Sequence, residues 1–248
     1  MPLAIVRPPG ASYPTCLVRG ERPAIDLARA LDQHAAYVRA LEEIGFEVRS
    51  LPPIDLLPDA CFVEDVALIL PEMAVLLRPG ANSREPEVDA IAGALRKLGP
   101  VARIEAPARI DGGDILRLGR RLFVGLSSRT DSAGVGALVD VAARSGYEVR
   151  ALPVHRGLHL KSAVCDAGPD LVFAEPDAVV PEDLRGARVV TVRSANVVHG
   201  PAGAIVPASA SETAAVLASE GIRVVEVDLS EFEKGDAGAT CLSLRRLV

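Results

Sequence analysis

Apolar side chains recur at three- and four-residue steps in several stretches of the chain, a spacing that predicts amphipathic helices. Each stretch ends at a glycine, and a β-rich run of residues follows that glycine. The pattern therefore predicts a helix, a sharp turn and a strand as one recurring segment. The first two apolar faces are made by Ala28, Leu31, Ala35, Val38 and Leu41, and by Val88, Ile91, Leu95 and Leu98.

This segment occurs five times, in RALEEIG-FEVRSL, GALRKLG-PVARIE, VAARSG-YEVRAL, PEDLRG-ARVVTV and VLASEG-IRVVEV. Its glycines are predicted to end the helices in a left-handed conformation, which glycine adopts without steric cost. The fourth helix, near residues 181–185, is predicted to be short. Ser209 and Glu212 resemble a capping box at the start of the last helix. The five glycines are Gly45, Gly99, Gly146, Gly186 and Gly221.

Between these segments, four stretches with short turns predict β-hairpins, at residues 66–78, 114–125, 161–174 and 196–207. A fifth hairpin would join the C-terminal TCLSLRR to the N-terminal LAIVR and close the chain into a ring. Hairpin, helix and strand then form a repeating unit, of a length typical of repeat architectures. We expect an α/β protein of five ββαβ units, in one domain over residues 1–248, whose polar junctions meet at one mouth.

Composition limits the classes of partner. With 49% apolar residues but few aromatic ones, Ala, Val and Leu are expected to fill the core. A net charge of −6 argues against nucleic acid and anionic membranes as partners and is compatible with a cationic small substrate. The four cysteines form no Cys-x-x-Cys pair, which favours a reducing compartment. The N-terminus is unlike a leader and no apolar run reaches membrane-spanning length, so we expect a cytoplasmic protein.

A thiol and an imidazole lie on two of the predicted junctions. Cys241 follows a glycine-containing lead in GDAGATCLSLRR, and His159 lies in HRGLHLKSAV. Most cysteines are buried small apolar residues, but a Cys and a His at convergent junctions suggest a nucleophile and its base. His155 is a rival for the role of base, whereas His34 is expected to be structural and His199 to lie in a hairpin turn.

Charged residues occupy the other junctions. In DGGD, Asp111 is either part of an ordinary turn or a group that orients His159 or holds a cation, while Asp114 supports the loop backbone. Charges at the mouth of an apolar strand need a partner, either a substrate cation or a neighbouring arginine. Two arginines in equivalent polar loops are either solvated or arranged to bind a carboxylate by forked hydrogen bonds. The strand-mouth residues are Asp59, Glu64 and Asp65, and the arginines are Arg84 and Arg129.

Six motifs in this order, FVED, RPGANSR, DGGD, SSRT, HLKS and TCLS, resemble the dimethylarginine dimethylaminohydrolases of the pentein, or guanidine-modifying, superfamily. The resemblance covers essentially the whole chain. It implies a pseudo-symmetric five-bladed α/β propeller of ββαβ units. It also implies the following roles: Cys241 as nucleophile, His159 as acid and base, Asp111 as its supporting carboxylate, Asp65 with Glu64 close by for the guanidinium, Asp59 for the substrate ammonium, and Arg84 with Arg129 for its carboxylate.

The resemblance further implies hydrolysis of dimethylarginine and monomethylarginine to citrulline and dimethylamine or methylamine, through a covalent S-alkylthiouronium on the cysteine. No metal and no organic cofactor is expected, and the partner is a small guanidino compound. The loop over residues 12–23 departs from any strict motif, and the equivalent loop of the family is a lid. We expect a monomer or a homodimer.

Four alternatives remain. Arginine deiminases and amidinotransferases use related chemistry, but both are usually longer than this chain. A non-catalytic pentein, such as the ribosome anti-association factor, predicts no Cys–His pair. A zinc hydrolase with His155, His159 and Asp111 is disfavoured, because no ligand pair has helical spacing with a general base between the two ligands.

Overall fold

A computed structural model describes residues 1–168, 170–178, 184 and 186–247. Contacts divide the chain into two compact units. Unit 1 contains Met1–Val63 and Val197–Val248, and unit 2 contains Glu64–Asn196. The organisation of residues 1–248 as one catalytic domain therefore stays a prediction.

Among the described residues, the strands form five three-stranded sheets, each with the same plan. The middle strand pairs antiparallel with its hairpin neighbour and parallel with the third strand, as the ββαβ pattern predicts. Unit 1 holds β1 (Leu3–Val6), β2 (Glu47–Ser50), β12 (Val198–Gly200), β13 (Gly203–Pro207), β14 (Val224–Val227) and β15 (Leu244–Arg246). Unit 2 holds β3 (Ala67–Ile69), β4 (Ala74–Leu76), β5 (Val101–Arg103), β6 (Ile115–Leu118), β7 (Arg121–Leu126), β8 (Glu148–Pro153), β9 (Val164–Gly168), β10 (Leu171–Ala174) and β11 (Arg188–Thr191).

Among the described residues, the helices α1 (Leu27–Glu43), α2 (Glu85–Arg96), α3 (Ser132–Ala142) and α4 (Ser211–Ser219) each follow the middle strand of a sheet, and the short α5 (Ser230–Glu233) follows β14. Asp26 and Asp131 cap α1 and α3, because their carboxylates accept the amide protons of Arg29 and Gly134. The predicted capping box of the last long helix is wrong: α4 begins at Ser211 with Ala210 as its N-cap residue, and the Ser209 hydroxyl donates to Glu233 instead.

The glycine prediction is confirmed, since all five glycines that follow the helical segments have positive φ angles. The four internal hairpins are also confirmed. His199 is a correction: it lies within β12, opposite Ala204, and the turn follows it. Most of the short helix predicted at residues 181–185 lies outside the described residues.

The terminal strands pair as predicted, with Leu3 opposite Arg246 and Ile5 opposite Leu244. The C-terminal strand is shorter than TCLSLRR, however. Its first residues form a 3₁₀ turn, Ala239–Leu242, so Cys241 lies on a turn and not in the sheet.

Each unit has its own apolar core. The core of unit 1 packs α1 and α5 around Tyr13, whose ring lies 5.4 Å from that of Phe232 and 5.9 Å from that of Phe62. Among the described residues of unit 2, two core clusters are mostly aliphatic, as the composition predicts. Over the part of the chain that the structure describes, no helix combines the length and the apolar character that a membrane span requires.

Candidate active site

The candidate site in unit 2 is centred on His159, which precedes the 3₁₀ turn Leu160–Ser162. Its Nε2 lies 2.9 Å from Oδ2 of Asp111, and its Nδ1 lies 3.9 Å from Oδ1 of Asp65. All three side chains are buried. The residues are far apart in the sequence, and the ends of three hairpin segments bring them together.

Burial acts to lower the pKa of His159, but the negative charges of Asp65, Asp111 and Asp114 outweigh it and raise the pKa to about 9. Burial likewise opposes the ionisation of Asp65, yet His159 and Arg84 hold its pKa below the ordinary value. At neutral pH the imidazole is therefore a cation among carboxylates. Such a group can give a proton to a leaving amine.

Glycine is required at both central positions of DGGD, because neighbouring atoms approach the backbone there too closely for a Cβ. A Cβ on Gly112 would lie 1.9 Å from the backbone oxygen of Glu64. A Cβ on Gly113 would lie 2.6 Å from Nδ1 of His159 and 2.8 Å from Oδ1 of Asp65. Any side chain at Gly113 would fill the space between the imidazole and the second carboxylate. The motif is thus more than an ordinary turn.

Arg84 is buried in an ion-pair network that the sequence did not indicate. Its Nη1 lies 2.5 Å from Oδ2 of Asp65, and its Nη2 lies 2.8 Å from Oε2 of Glu87. Charges removed from water in this way require such partners. Of the two partners considered for Asp65, a substrate cation or a neighbouring arginine, the structure contains the arginine. Arg84 therefore has a structural role besides the one predicted for it.

Glu64 has a different counter-ion. Its Oε1 accepts a hydrogen bond from Nζ of Lys161 at 2.6 Å, and both side chains are buried. The backbone oxygen of Lys161 also accepts a hydrogen bond from the side-chain amide of Asn196. The pair joins the strand that starts after FVED to the turn that carries His159.

Arg129, in contrast, is half-exposed in the turn before α3. Its backbone N–H donates to Oγ of Ser127 at 3.0 Å. Within the described part of the chain its guanidinium forms no ion pair, so its charge is available to an anionic ligand. Arg84 and Arg129 therefore differ in their surroundings although they occupy equivalent positions in the repeat.

The candidate residues of unit 1 are Cys241 and Asp59. None of the four cysteines is in a disulfide; three are buried and Cys241 alone is half-buried. Of the four, Cys241 is thus the one whose sulfur is placed to react with a ligand. Its backbone N–H donates to the carbonyl oxygen of Gly238 at 3.2 Å within the 3₁₀ turn.

Tyr37 of α1 anchors this turn on both sides of the cysteine. Its buried hydroxyl donates to the carbonyl oxygen of Ala239 at 2.8 Å. A phenol has one proton, so the hydroxyl of Ser243, 2.7 Å away, must be the donor in the second bond. One side chain therefore holds the backbone before Cys241 and the Ser243 side chain after it.

Tyr37→Phe is expected to lower the free energy of unfolding by about 1–3 kcal/mol, because it leaves the Ala239 carbonyl and the Ser243 hydroxyl buried without this partner. Urea denaturation of wild type and variant measures the difference. Tyr147→Phe is the matched control, since it removes only a longer, partly exposed bond to Glu72, of 3.2 Å. Equal losses in the two variants would contradict an anchoring role for Tyr37.

Asp59 is buried, and its Oδ1 accepts the backbone N–H of Leu17 at 3.0 Å. It thus contacts the loop over residues 12–23 that was predicted as a lid. The start of this loop is fixed, because Tyr13 and Cys16 are buried and the Tyr13 hydroxyl donates to the backbone oxygen of Glu231. Apart from Thr15, the exposed residues of the loop lie within residues 17–23. Any lid motion is therefore expected in that part.

Asp65, Asp111 and His159 offer three possible metal-ligand atoms within 4.8 Å of one another. Arg84 and the imidazolium already supply positive charge to these carboxylates, and we therefore interpret the cluster as an ion-pair network. His155, the rival base and the predicted zinc ligand, is exposed and lies outside this group.

Three residues of the site escaped the sequence reasoning: Glu87, Lys161 and Tyr37. Glu87 carried a signal, since it follows Arg84 by three residues at the start of a helix, where such pairs meet. Lys161 lies in the quoted HLKS motif, but its partner Glu64 is distant in the sequence. Nothing in the sequence distinguishes Tyr37 from an ordinary core aromatic.

Five small sheets with this strand plan, a buried acid–base cluster and a half-buried thiol define an α/β protein with the groups of a cysteine hydrolase. No protein-family model matches the chain. A Streptomyces coelicolor protein named N(G),N(G)-dimethylarginine dimethylaminohydrolase is 38% identical, over 98% of this chain and 96% of its own. A Pseudomonas aeruginosa protein of the same name is 32% identical, over 97% of this chain and 98% of its own.

A solved structure agrees with these relatives. It is the Pseudomonas aeruginosa enzyme as a cysteine-to-serine variant complexed with citrulline, and it matches with a TM-score of 0.94 and 32% identity over 98% of both chains. The chain belongs to the dimethylarginine dimethylaminohydrolase family. The resemblance drawn from the six motifs is confirmed.

Proposed function

We propose that this protein hydrolyses Nω-methylated arginines to citrulline, with release of dimethylamine or methylamine. The observation that carries the proposal is the buried His159 beside Asp111 and Asp65, in a chain that belongs to this family over nearly its whole length. Carboxylates at this depth suit a guanidinium substrate, and the imidazolium suits an amine leaving group. The partner is thus a cationic small molecule.

In the first half of the proposed reaction, the Cys241 thiolate attacks the central guanidine carbon. Asp65, with Glu64 close by, keeps the guanidinium oriented and charged. His159 gives its proton to the methylated nitrogen as the C–N bond breaks. The amine leaves, and an S-alkylthiouronium remains on the sulfur.

In the second half, the now neutral His159 removes a proton from water, and the hydroxide adds to the same carbon. The C–S bond breaks, the thiolate is restored, and citrulline forms as the added oxygen gives its remaining proton to solvent. Asp111 supports the imidazole through both halves, since it accepts the Nε2 proton. His159 thus regains from water the proton that it gave to the leaving amine.

The amino-acid head of the substrate needs an ammonium acceptor and a carboxylate receptor. Asp59 is proposed for the ammonium, and Arg129 with Arg84 for the carboxylate. Arg84→Ala is a poor test of this role, because it would leave Asp65 and Glu87 buried without their counter-ion. Arg129→Ala is the cleaner test, because its guanidinium is half-exposed.

Arg129→Ala is expected to lower kcat/KM for dimethylarginine by roughly ten- to a hundredfold, the effect of one charge-assisted contact. The activity on agmatine, which has no carboxylate, is expected to be low in wild type and unchanged in the variant. Steady-state rates for dimethylarginine, monomethylarginine, arginine and agmatine on one preparation give the comparison. Arg150→Ala, at an exposed arginine paired with Glu148 and outside the proposed site, is the matched control.

The same panel separates the alternatives. A clear preference for arginine, with ammonia as the second product, would replace the proposal with an arginine deiminase. A preference for agmatine would contradict the carboxylate receptor. Failure to turn over any of the four compounds would contradict the proposed function as a whole.

We also propose that the five sheets are the blades of a five-bladed α/β propeller within one catalytic domain. The shared ββαβ plan and the pairing of β1 with β15 support this arrangement. The expectation of a monomer or homodimer is a further prediction.

A further inference from the structure

Asp114, the last residue of DGGD, has no part in the reaction proposed above, yet its side chain is fully buried in unit 2. Its Oδ1 accepts the backbone N–H of Leu160 at 2.8 Å. Its Oδ2 accepts the hydroxyl protons of Ser127 at 2.7 Å and of Thr130 at 2.6 Å. A carboxylate so far from water is costly unless such donors surround it. An apolar residue of the same volume would avoid this cost.

The carboxylate decides the direction of every bond around it, because it accepts protons and donates none. Both hydroxyls must point their single protons at Asp114, so their lone pairs are left to accept backbone N–H groups. Oγ of Ser127 accepts from Arg129 at 3.0 Å and from Thr130 at 3.2 Å. Oγ1 of Thr130 accepts from the backbone N–H of Asp111 at 3.1 Å.

These bonds join three segments that bear proposed active-site residues. Through Thr130, Asp114 holds the backbone of Asp111, the partner of His159. Through Leu160, it holds the residue that directly follows His159. Through Ser127, it holds the backbone N–H of Arg129. No reacting atom is contacted, and all three effects pass through other groups.

We propose that Asp114 is a positioning residue that fixes the His159–Asp111 pair and the turn of Arg129 in one arrangement. Of its two hydroxyl partners, Thr130 serves the acid–base pair and Ser127 serves the substrate-carboxylate side. The inference rests on the proposed function for the roles of these groups, but the hydrogen-bond network itself is independent of it.

The two hydroxyls allow the branches to be separated by kinetics. Thr130→Val keeps the shape of the side chain and removes the hydroxyl, so kcat for dimethylarginine is expected to fall about three- to tenfold, the effect of one hydrogen bond, with KM within about twofold. Thr130→Ser keeps the hydroxyl and is expected to restore kcat. Ser127→Ala is expected to raise KM by a similar factor and to lower kcat less than Thr130→Val does. It loosens the backbone of Arg129 and Thr130 but keeps the Thr130 hydroxyl that holds Asp111.

Asp114→Asn is expected to affect both parameters. An amide presents one acceptor and one donor group, so it cannot accept from Leu160 on one side and from two hydroxyls on the other. We expect kcat to fall and KM to rise, each by about tenfold or more. Adding Ser127→Ala to Asp114→Asn is expected to change KM little further, because the two residues act through the same bond.

These changes in kcat and KM must be distinguished from the effect of a general loss of stability. Ala142→Gly, at the far end of α3, is the matched control, because it weakens a buried helix end of unit 2 without contact to the network. Thermal unfolding ranks the variants, and the control is expected to lose stability with kcat and KM unchanged. Parallel losses of kcat in Ala142→Gly and Thr130→Val at equal stability would overturn the positioning role.

A second measurement does not depend on turnover. In protein labelled with ¹⁵N-histidine, the Nε2–H resonance of His159 reports its bond to Asp111, and Thr130→Val is expected to shift or broaden it. Thr130→Ser and Ala142→Gly are expected to leave it in place. If wild type hydrolyses no methylarginine, the proposed function fails while this resonance still decides the inference. An unchanged resonance in Thr130→Val would overturn the inference even in an active enzyme.

Discussion

Cys241→Ser is expected to lower kcat/KM for dimethylarginine by roughly 10⁴- to 10⁶-fold, as loss of a nucleophile does in other covalent hydrolases. A serine hydroxyl is almost entirely protonated at neutral pH, whereas a thiol with a pKa near 8.5 is a few per cent thiolate and is intrinsically a stronger nucleophile. The half-buried turn that carries Cys241 has room for the smaller oxygen, so the fold is expected to persist.

Cys165→Ala is the matched control, because it changes a fully buried thiol in β9 of unit 2. Its activity is expected to stay within about threefold of wild type, with a modest loss of stability from the cavity. Mass spectrometry of protein quenched during turnover is expected to find the thiouronium on the peptide of Cys241. An adduct on Cys16, Cys61 or Cys165, together with an active Cys241→Ser variant, would assign the nucleophile elsewhere.

Most of the fold was open to prediction because its signals are local. The sequence signal lies within about a dozen residues both for a helix that ends at a positive-φ glycine and for a hairpin with a two-residue turn. Gly146 and the hairpin of β6 and β7 are examples. The pairing of β1 with β15 required an inference from the repeat, since no local signal joins the chain ends.

The errors have a common physical cause. The 3₁₀ turn at Cys241 interrupts a sequence that is otherwise suited to a strand, because the Tyr37 hydroxyl holds it from a position 202 residues away. Ser209 was expected to cap α4, but a partner in the next segment, Glu233, takes its hydroxyl proton. Tertiary contacts of this kind outweigh local preference and leave no trace in the local pattern.

The site was predictable as a set of residues but not as a network. Cys, His, Asp and Arg at junctions of the repeat identify candidates by their chemistry. Which carboxylate meets which cation depends on side-chain geometry, as the pairing of Lys161 with Glu64 across 97 residues illustrates. The ion pair between Arg84 and Asp65 likewise depends on side-chain geometry and could not be read from the sequence.

Asp111→Asn is expected to lower kcat by about 10²- to 10⁴-fold, although the two side chains have almost the same shape. Asp111 accepts on both oxygens, from Gly80 N–H at 2.7 Å and from Nε2 of His159 at 2.9 Å. An asparagine has one acceptor, so either Gly80 loses its partner or the amide donates to Nε2 and forces the imidazole into the other tautomer. Both outcomes disturb the acid–base group.

The pH dependence of kcat reports how Asp111→Asn changes the pKa of His159. Asp111 is one of the three carboxylates that raise the pKa of His159 to about 9, against the lowering by burial. Without its charge the pKa falls, so the proton needed for the leaving amine is lost at lower pH. The alkaline limb of kcat is therefore expected to move to lower pH in Asp111→Asn, and a citrulline assay between about pH 6 and pH 10 measures it.

Asp89→Asn, an exposed carboxylate paired with Arg103 on unit 2, is the matched control for loss of one negative charge. Its alkaline limb is expected to coincide with that of wild type, because solvent and salt screen a charge at the surface. If both variants shift the limb equally, the effect belongs to the net charge of the protein and not to the contact with His159. If Asp111→Asn keeps full kcat and an unshifted limb, the carboxylate that supports the imidazole must be sought in Asp65 instead, which lies 3.9 Å from Nδ1.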